Sequence, residues 1–140
     1  MAGRAATDTT KPIPIGERFD LAEQTIGLLR NTGEAVFIAP NRTGPPHRID
    51  GYSVGAPVVT QDPPHGGEMH PDGDELLLVV SGRFNVRLEL DAGPNETELR
   101  PGDALVVPRG TWHLVTMQEP GQLVHITPGP GGSHRPVPDR

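Results

Sequence analysis

The chain has 140 residues, a quarter of them Gly or Pro, a formal charge of −6 and no cysteine. That length holds one domain with its own core and excludes two of ordinary size. The acidic balance, without any Lys/Arg cluster, excludes nucleic acid as a partner, and the missing thiols exclude disulfides and cysteine ligands. No apolar stretch reaches membrane-spanning length and no signal-peptide core opens the chain, so no membrane partner and a cytoplasmic location are expected. Residues 1–16 are expected to form a flexible segment. Over 17–30, Leu21, Ile26, Leu28 and Leu29 follow an imperfect 3.6 period and Asn31-Thr32-Gly33 supplies a stop, which predicts a short N-terminal helix. Strand patterns follow over 34–39, 51–60, 67–70, 75–81, 84–90, 96–99, 104–107, 112–117 and 122–127, punctuated by Gly/Pro turns. Phe84 to Leu90 alternates apolar and polar residues, the mark of a half-exposed strand. Leu76 to Val80 does not alternate, so cover is expected on both its faces, the outer one from the N-terminal helix or a second subunit. The domain is expected over 17–128, and the Gly/Pro-rich residues 129–140, with nothing to bury, are expected to be a disordered tail. The fold class is all-β, a turn-dense antiparallel barrel.

Chemistry concentrates in two stretches. In Glu68-Met-His70-Pro-Asp-Gly-Asp-Glu75, side chains two apart on a strand share a face, so Glu68 and His70 point the same way. The turn from Pro71 to Asp74 then sends Glu75 back on an antiparallel strand beside His70. In the second stretch a Pro101-Gly102-Asp103 turn, a strand over 104–107 and a Pro108-Arg109-Gly110 turn lead to His113. Glu68, His70, Glu75 and His113 are therefore candidate metal ligands. Imidazole and carboxylate suit a divalent first-row ion, and two His plus one carboxylate with open positions is the arrangement of non-haem Fe(II) oxygenases. Each residue alone has a plainer reading: a surface carboxylate for Glu68, turn residues for His70 and Glu75, a core histidine for His113. Their joint spacing is what points to a site.

At these residues the chain resembles the cupin superfamily, whose first motif reads G-x5-H-x-H-x(3,4)-E-x6-G and whose second reads G-x5-P-x-G-x2-H-x3-N. His70, Glu75 and Gly82 match the second His, the Glu and the closing Gly of the first motif; Gly102, Pro108, Gly110 and His113 match the second in spacing. Glu68 stands where the family has its first His, Met117 where it has its final Asn, and Asp62 where the first motif opens with Gly. The resemblance spans roughly residues 50 to 128. It implies a single-domain jelly-roll barrel, His70, Glu75 and His113 as ligands with Glu68 as an acidic substitute, and a homodimer, an assembly common among cupins.

Other residues have two readings or a minor role. His125 shares a strand face with Leu123 and Thr127, and is either a proton-transfer group facing the interior or a core histidine. His47 and His65 sit in Pro/Gly-rich loops, where solvated histidines are common, and His134 lies in the tail. Asp72 and Asp74 are expected to accept local backbone amides in their turn. Trp112 must face away from His113. Val115 and Met117 share the face of His113 and, with aromatic residues only 4% of the chain, predict an aliphatic pocket wall.

The leading functional expectation is a metal-dependent enzyme acting on a small polar or aliphatic metabolite, with oxygenase chemistry ahead. If Glu68 also binds, two carboxylates nearly cancel the charge of a divalent ion, which weakens Lewis acidity and stabilises a higher oxidation state. This favours Fe(II) or Mn(II) over Zn(II) or Ni(II). One alternative is an isomerase, epimerase or lyase in which His125 or Glu68 moves a proton. Another is a non-catalytic barrel that binds a metabolite or a metal; an ion pair between Glu68 and Arg83 or Arg109 would mark it. The expected partners are a small-molecule substrate and a second copy of the chain.

Overall fold

The computed structural model describes residues 9–138. Among the described residues thirteen short strands run β1 (Thr10–Pro12), β2 (Ile26–Leu29), β3 (Ala35–Ile38), β4 (Gly51–Gly55), β5 (Val58–Val59), β6 (Gly67–Met69), β7 (Glu75–Val79), β8 (Arg83–Leu90), β9 (Gly93–Leu99), β10 (Ala104–Val107), β11 (His113–Glu119), β12 (Gly121–Gly129) and β13 (Ser133–Arg135). The larger sheet is ordered β1-β3-β2-β4-β12-β7-β10, with β5 beside β12; the smaller is β13-β6-β11-β8-β9. Every pairing is antiparallel. Their inner faces enclose a core of Leu77, Val79, Phe84, Val86, Leu88, Leu99, Val107 and Leu123. The alternation in β8 does what its pattern dictates, burying Phe84, Val86 and Leu88 and leaving Arg87 and Glu89 outside.

The expected N-terminal helix does not form. Asp20 caps a single turn, accepting the amide of Ala22 at 2.9 Å through Oδ1 and those of Glu23 and Gln24 at 3.0 Å through its carbonyl. The chain then enters β2, paired on both sides by β3 and β4. A weak helical period interrupted by Gly27 loses to two ladders of sheet hydrogen bonds. Gly27 packs closely, since a Cβ there would meet Ile49 Cδ1 at 2.6 Å and the end of that side chain would have to move. The Asn31-Thr32-Gly33 stop serves instead as the β2–β3 hairpin turn, with the Gly33 amide donating to the Leu29 carbonyl at 2.8 Å.

With no helix over it, the outer face of β7 stays open. Leu76 is 36% and Val80 49% exposed, while Glu75, Leu77 and Val79 point inward. Within the two end segments, the described residues include paired strands. Thr10–Pro12, within the stretch expected to be flexible, pairs with β3, and Ser133–Arg135, within the expected tail, pairs with β6. Residues 1–8 and 139–140 of those two segments lie outside the described residues. The tail is held by edge hydrogen bonds and polar anchors, which a reading based on apolar burial does not see: the Arg135 guanidinium lies 4.3 Å over the Trp112 ring and pairs with Glu89. Among the described residues no helix is long and apolar enough to cross a membrane.

Candidate metal centre

Strand register builds the site. Across the smaller sheet, paired positions share a face, and one transverse row reads His134, Glu68, His113, Leu88. Glu75 faces this row from the start of β7 in the opposite sheet, and His70 sits in the connection between β6 and β7. The donor atoms of Glu68, His70, Glu75 and His113 all lie within 4.8 Å of one another. His113 Nε2 is 3.1 Å from Glu75 Oε1, and His70 Nε2 is 3.3 Å from Glu75 Oε2. Both Nε2 atoms are 3.5 Å from Glu68 Oε1. His70, Glu75 and His113 are almost wholly buried, and Glu68 is 23% exposed at the cavity.

The two turns that carry the ligands are stitched together. The Gly110 amide donates to the His70 carbonyl at 2.9 Å, the Arg109 amide to Asp74 Oδ1 at 2.8 Å, and Arg109 Nε to the Pro71 carbonyl at 2.7 Å. Asp72 Oδ2 accepts the Gly131 amide at 2.5 Å. Asp72 and Asp74 therefore hold neighbouring loops, not the local turn amides expected of them. Gly82, which closes the first motif, has φ +80°, and a Cβ there would meet the Pro120 carbonyl at 2.6 Å, so only glycine fits where two turns back onto each other.

Four observations show that the donors fit a divalent ion. His113 Nδ1 lies 3.1 Å from the Thr111 carbonyl, which places the proton on Nδ1 and leaves the Nε2 lone pair facing the cluster. His70 Nε2, His113 Nε2 and Glu75 Oε1 are buried without a hydrogen bond. Leaving such groups without a partner costs on the order of 1–3 kcal/mol each. The spacings of 3.1–3.5 Å also suit donors at adjacent corners around one ion bound at about 2.1 Å. Charge agrees with geometry. Burial works against an imidazolium at His113, yet Glu68 and Glu75 outweigh it and raise the group to about 10. Burial likewise works to raise Glu75, but His113 and His70 bring it down to about 2. The same two histidines overcome burial at Glu68 and hold its carboxyl far below the usual range. A site that draws protons onto two imidazoles between two carboxylates is one where a cation is favoured.

A cavity of about 320 Å³ opens beside the cluster. Val115 and Met117 line it as expected from their strand face, together with Val59, Leu77, Phe84 and Leu123. His125 lines it too, but its Nδ1 lies 2.9 Å from Thr127 Oγ1, which donates to Glu75 Oε2 at 2.6 Å. Burial lowers the His125 pKa, so the ring is neutral. Trp112 faces outward under Arg135 as its position required. His47 borders an adjacent cavity, while His65 stands at the rim with its ring centroid 5.0 Å from that of His134.

Sequence reasoning missed three residues here. Thr127, two positions from His125 on one strand face, could have been found by period alone. His134 reaches Glu68 Oε2 at 3.1 Å only because β13 pairs with β6. Arg48 reaches the same oxygen at 3.9 Å from the connection before β4, and no local pattern marks it. Arg83 and Arg109, the arginines weighed as partners of Glu68, are engaged elsewhere: Arg83 with Glu98 and Glu119, Arg109 with Asp74 and Pro71.

His65, Glu68 and His134 also have donor atoms within 4.8 Å of one another. Here the tautomer argues against an ion. The Gly67 amide donates to His65 Nδ1 at 3.1 Å, so in the neutral ring the proton is on Nε2, which then has no lone pair to give.

Known proteins bear on this arrangement. No curated protein sequence gives a significant match. Solved structures of similar fold include Peruvianin-I, a cysteine peptidase from Thevetia peruviana latex, at 17% identity and TM-score 0.52, covering 62% of this chain and 57% of that one. Oxalate oxidase in complex with the substrate analogue glycolate aligns at 20% identity and TM-score 0.49, covering 59% and 45%. A cupin-2 domain protein from Shewanella frigidimarina aligns at 23% identity and TM-score 0.47, covering 56% and 71%. The chain thus spans little more than half the length of the first and less than half of the second. The likeness is one of fold, and a chain without cysteine cannot share a thiol nucleophile with a cysteine peptidase. A family profile described as Cupin domain matches residues 58–127, half of the chain, and with both motifs meeting between two antiparallel sheets, this protein belongs to the cupin family.

Proposed function

We propose that the protein is a metal-dependent enzyme acting on a small metabolite, an oxygenase of the Fe(II) type, working in the cytoplasm. The observation that carries this reading is the convergence of His70, Glu75 and His113, with Glu68 as fourth donor, on one point beside an open cavity. These four would hold the ion. When bound, a redox-capable Fe or Mn ion supplies open positions for substrate and O2. The two carboxylates offset its charge, which favours redox chemistry over Lewis-acid hydrolysis. The chain's own groups do the rest: the aliphatic wall excludes water, and Thr127 fixes one oxygen of Glu75. Glu68 and neutral His125 are the groups able to accept a proton from the substrate.

That pair of proton acceptors favours a second reading, an isomerase, epimerase or lyase, in which Glu68 or His125 would move the proton and an ion held by His70, Glu75 and His113 would supply Lewis-acid charge. The test is direct. Protein purified without a polyhistidine tag or chelators is assayed for metal per chain by inductively coupled plasma mass spectrometry, then for O2 consumption. Near-stoichiometric Fe or Mn with substrate-dependent O2 uptake is the expected result; Zn or Ni with turnover in the absence of O2 would select the second reading. Failure to retain any metal after reconstitution would leave only a non-catalytic binding barrel. We also propose a homodimer, formed across the outer face where Leu76 and Val80 are exposed; light scattering should give twice the chain mass.

A further inference from the structure

Most arginines that form ion pairs in this protein sit against a carboxylate. Arg30 holds Asp50 at 2.9 Å, Arg83 and Arg100 each hold Glu98 at 3.0 Å, and Arg135 holds Glu89. Arg48 differs. Its side chain is only 16% exposed, yet among the described residues its one polar contact is Glu68 Oε2 at 3.9 Å, beyond hydrogen-bond reach. A guanidinium carries five N–H donors in a planar fork, and those of Arg48 are not among the fully buried unpartnered atoms, so they face the cavity with no acceptor from the described residues in reach. The fork borders the cavity beside the metal centre, and among the described residues no other Arg or Lys lines that cavity.

The remaining wall limits what could meet the fork. Val59, Leu77, Phe84, Val115, Met117 and Leu123 form an apolar body, while Arg48, Glu68, Glu75 and His125 gather at a polar end. At about 320 Å³ the cavity lies at the small end of ligand pockets. With a divalent ion balancing Glu68 and Glu75, and the histidines neutral, Arg48 leaves the cavity one positive charge in excess. A planar anion with two oxygens matches that charge and geometry as neither a neutral nor a cationic group does.

We propose that Arg48 anchors the carboxylate of the substrate, a small monocarboxylate with an aliphatic body lying along the apolar wall. This rests on the metal reading, because without an ion the two glutamates would oppose an anion. In structural terms Arg48 is a substrate-binding residue that sets specificity, and its fork directs the bound carboxylate towards the metal side of the cavity.

The test uses the full chain, reconstituted with metal, and calorimetric titration with butyrate, hexanoate and the isosteric neutral probe hexanamide. Metal content is measured on the same samples. Hexanoate should bind at least tenfold more tightly than hexanamide, and more tightly than butyrate. Arg48→Met should abolish the preference for the anion while keeping metal content, and Arg48→Lys, which keeps the charge and loses the fork, should fall between. Equal binding of hexanoate and hexanamide to metal-loaded protein would overturn the inference and leave the metal reading standing. So would an Arg48→Met protein that keeps the preference, or one that loses its metal, since Arg48 would then be serving Glu68. A protein that holds no metal but keeps an Arg48-dependent preference would retain the anchor and overturn the ion.

Discussion

Two histidine pairs flank Glu68 and differ in everything except residue type. His70 and His113 lie inside, buried, with Nε2 atoms 3.5 Å from Glu68 Oε1. His65 and His134 lie at the rim, half-buried, and His134 meets the other oxygen at 3.1 Å. The hydrogen bond on the far side of one ring in each pair separates them, His70 Nδ1 being buried without a partner. His113 has a carbonyl at Nδ1, which fixes the proton there and frees Nε2; His65 has an amide N–H at Nδ1, which places the proton on Nε2. A ligand is thus chosen by what its other nitrogen touches as much as by where it points. Glu68 stands between the pairs with one oxygen committed to each.

The strongest way to break this comparison is to remove one histidine from each side. His113→Ala should lose bound metal by more than the 10–100-fold that loss of a supporting contact costs, read by mass spectrometry after dialysis. His65→Ala should change metal affinity less than about threefold, an estimate from its lack of a free lone pair. Equal losses from the two would erase the distinction between inner and rim histidines.

Acidity sharpens the contrast. In ion-free protein the carboxylates raise His113 to about 10, so near neutrality an entering metal displaces a proton. Apparent affinity should therefore rise with pH, by about tenfold per unit for each proton displaced, up to that value. Burial, the largest influence on His65, lowers its pKa, so the rim ring is already neutral at pH 7 and adds nothing to the slope. A pH-independent affinity between pH 6 and 9 would mean that His113 is no ligand.

Smaller effects are expected where the two pairs join. Glu68→Gln should weaken metal retention or alter metal preference by about 10–100-fold; unchanged content and preference would sink its role as a direct donor. His134→Ala should act in the same direction at about tenfold or less, because it removes a partner from Glu68 Oε2 and no donor from the ion.

Much of this is legible in the amino-acid sequence alone. Turn chemistry and the period of two place seven of the strands after residue 50 near their observed bounds, since those signals are local, and run β4 and β5 together as one strand over 51–60. Counting along the chain also brings Glu68 and His70 to one side, but Glu75 reaches them from the opposite sheet, since β7 pairs with β12 and β10 and not as the return strand beside β6. The segment 17–30 misled because its apolar spacing is equally compatible with a short strand, and the partners that decide, β3 and β4, lie further along the chain. Arg48 and His134 were invisible for a related reason. Each enters the site through a contact between segments distant in sequence, from a loop in one case and a terminal strand in the other, and no periodicity announces it.

Strand β13 has a consequence for how such a site could be altered. The rim histidine arrives on three residues that contribute nothing to the packed core and are held by edge hydrogen bonds, an arginine over Trp112 and one ion pair. Changes there would alter what meets Glu68 Oε2 while the core cluster keeps its packing, so β13 behaves as an exchangeable part. Cutting the chain after Gly129, where β12 ends, would remove His134 from Glu68 Oε2 and leave that oxygen to Arg48 alone among the described residues.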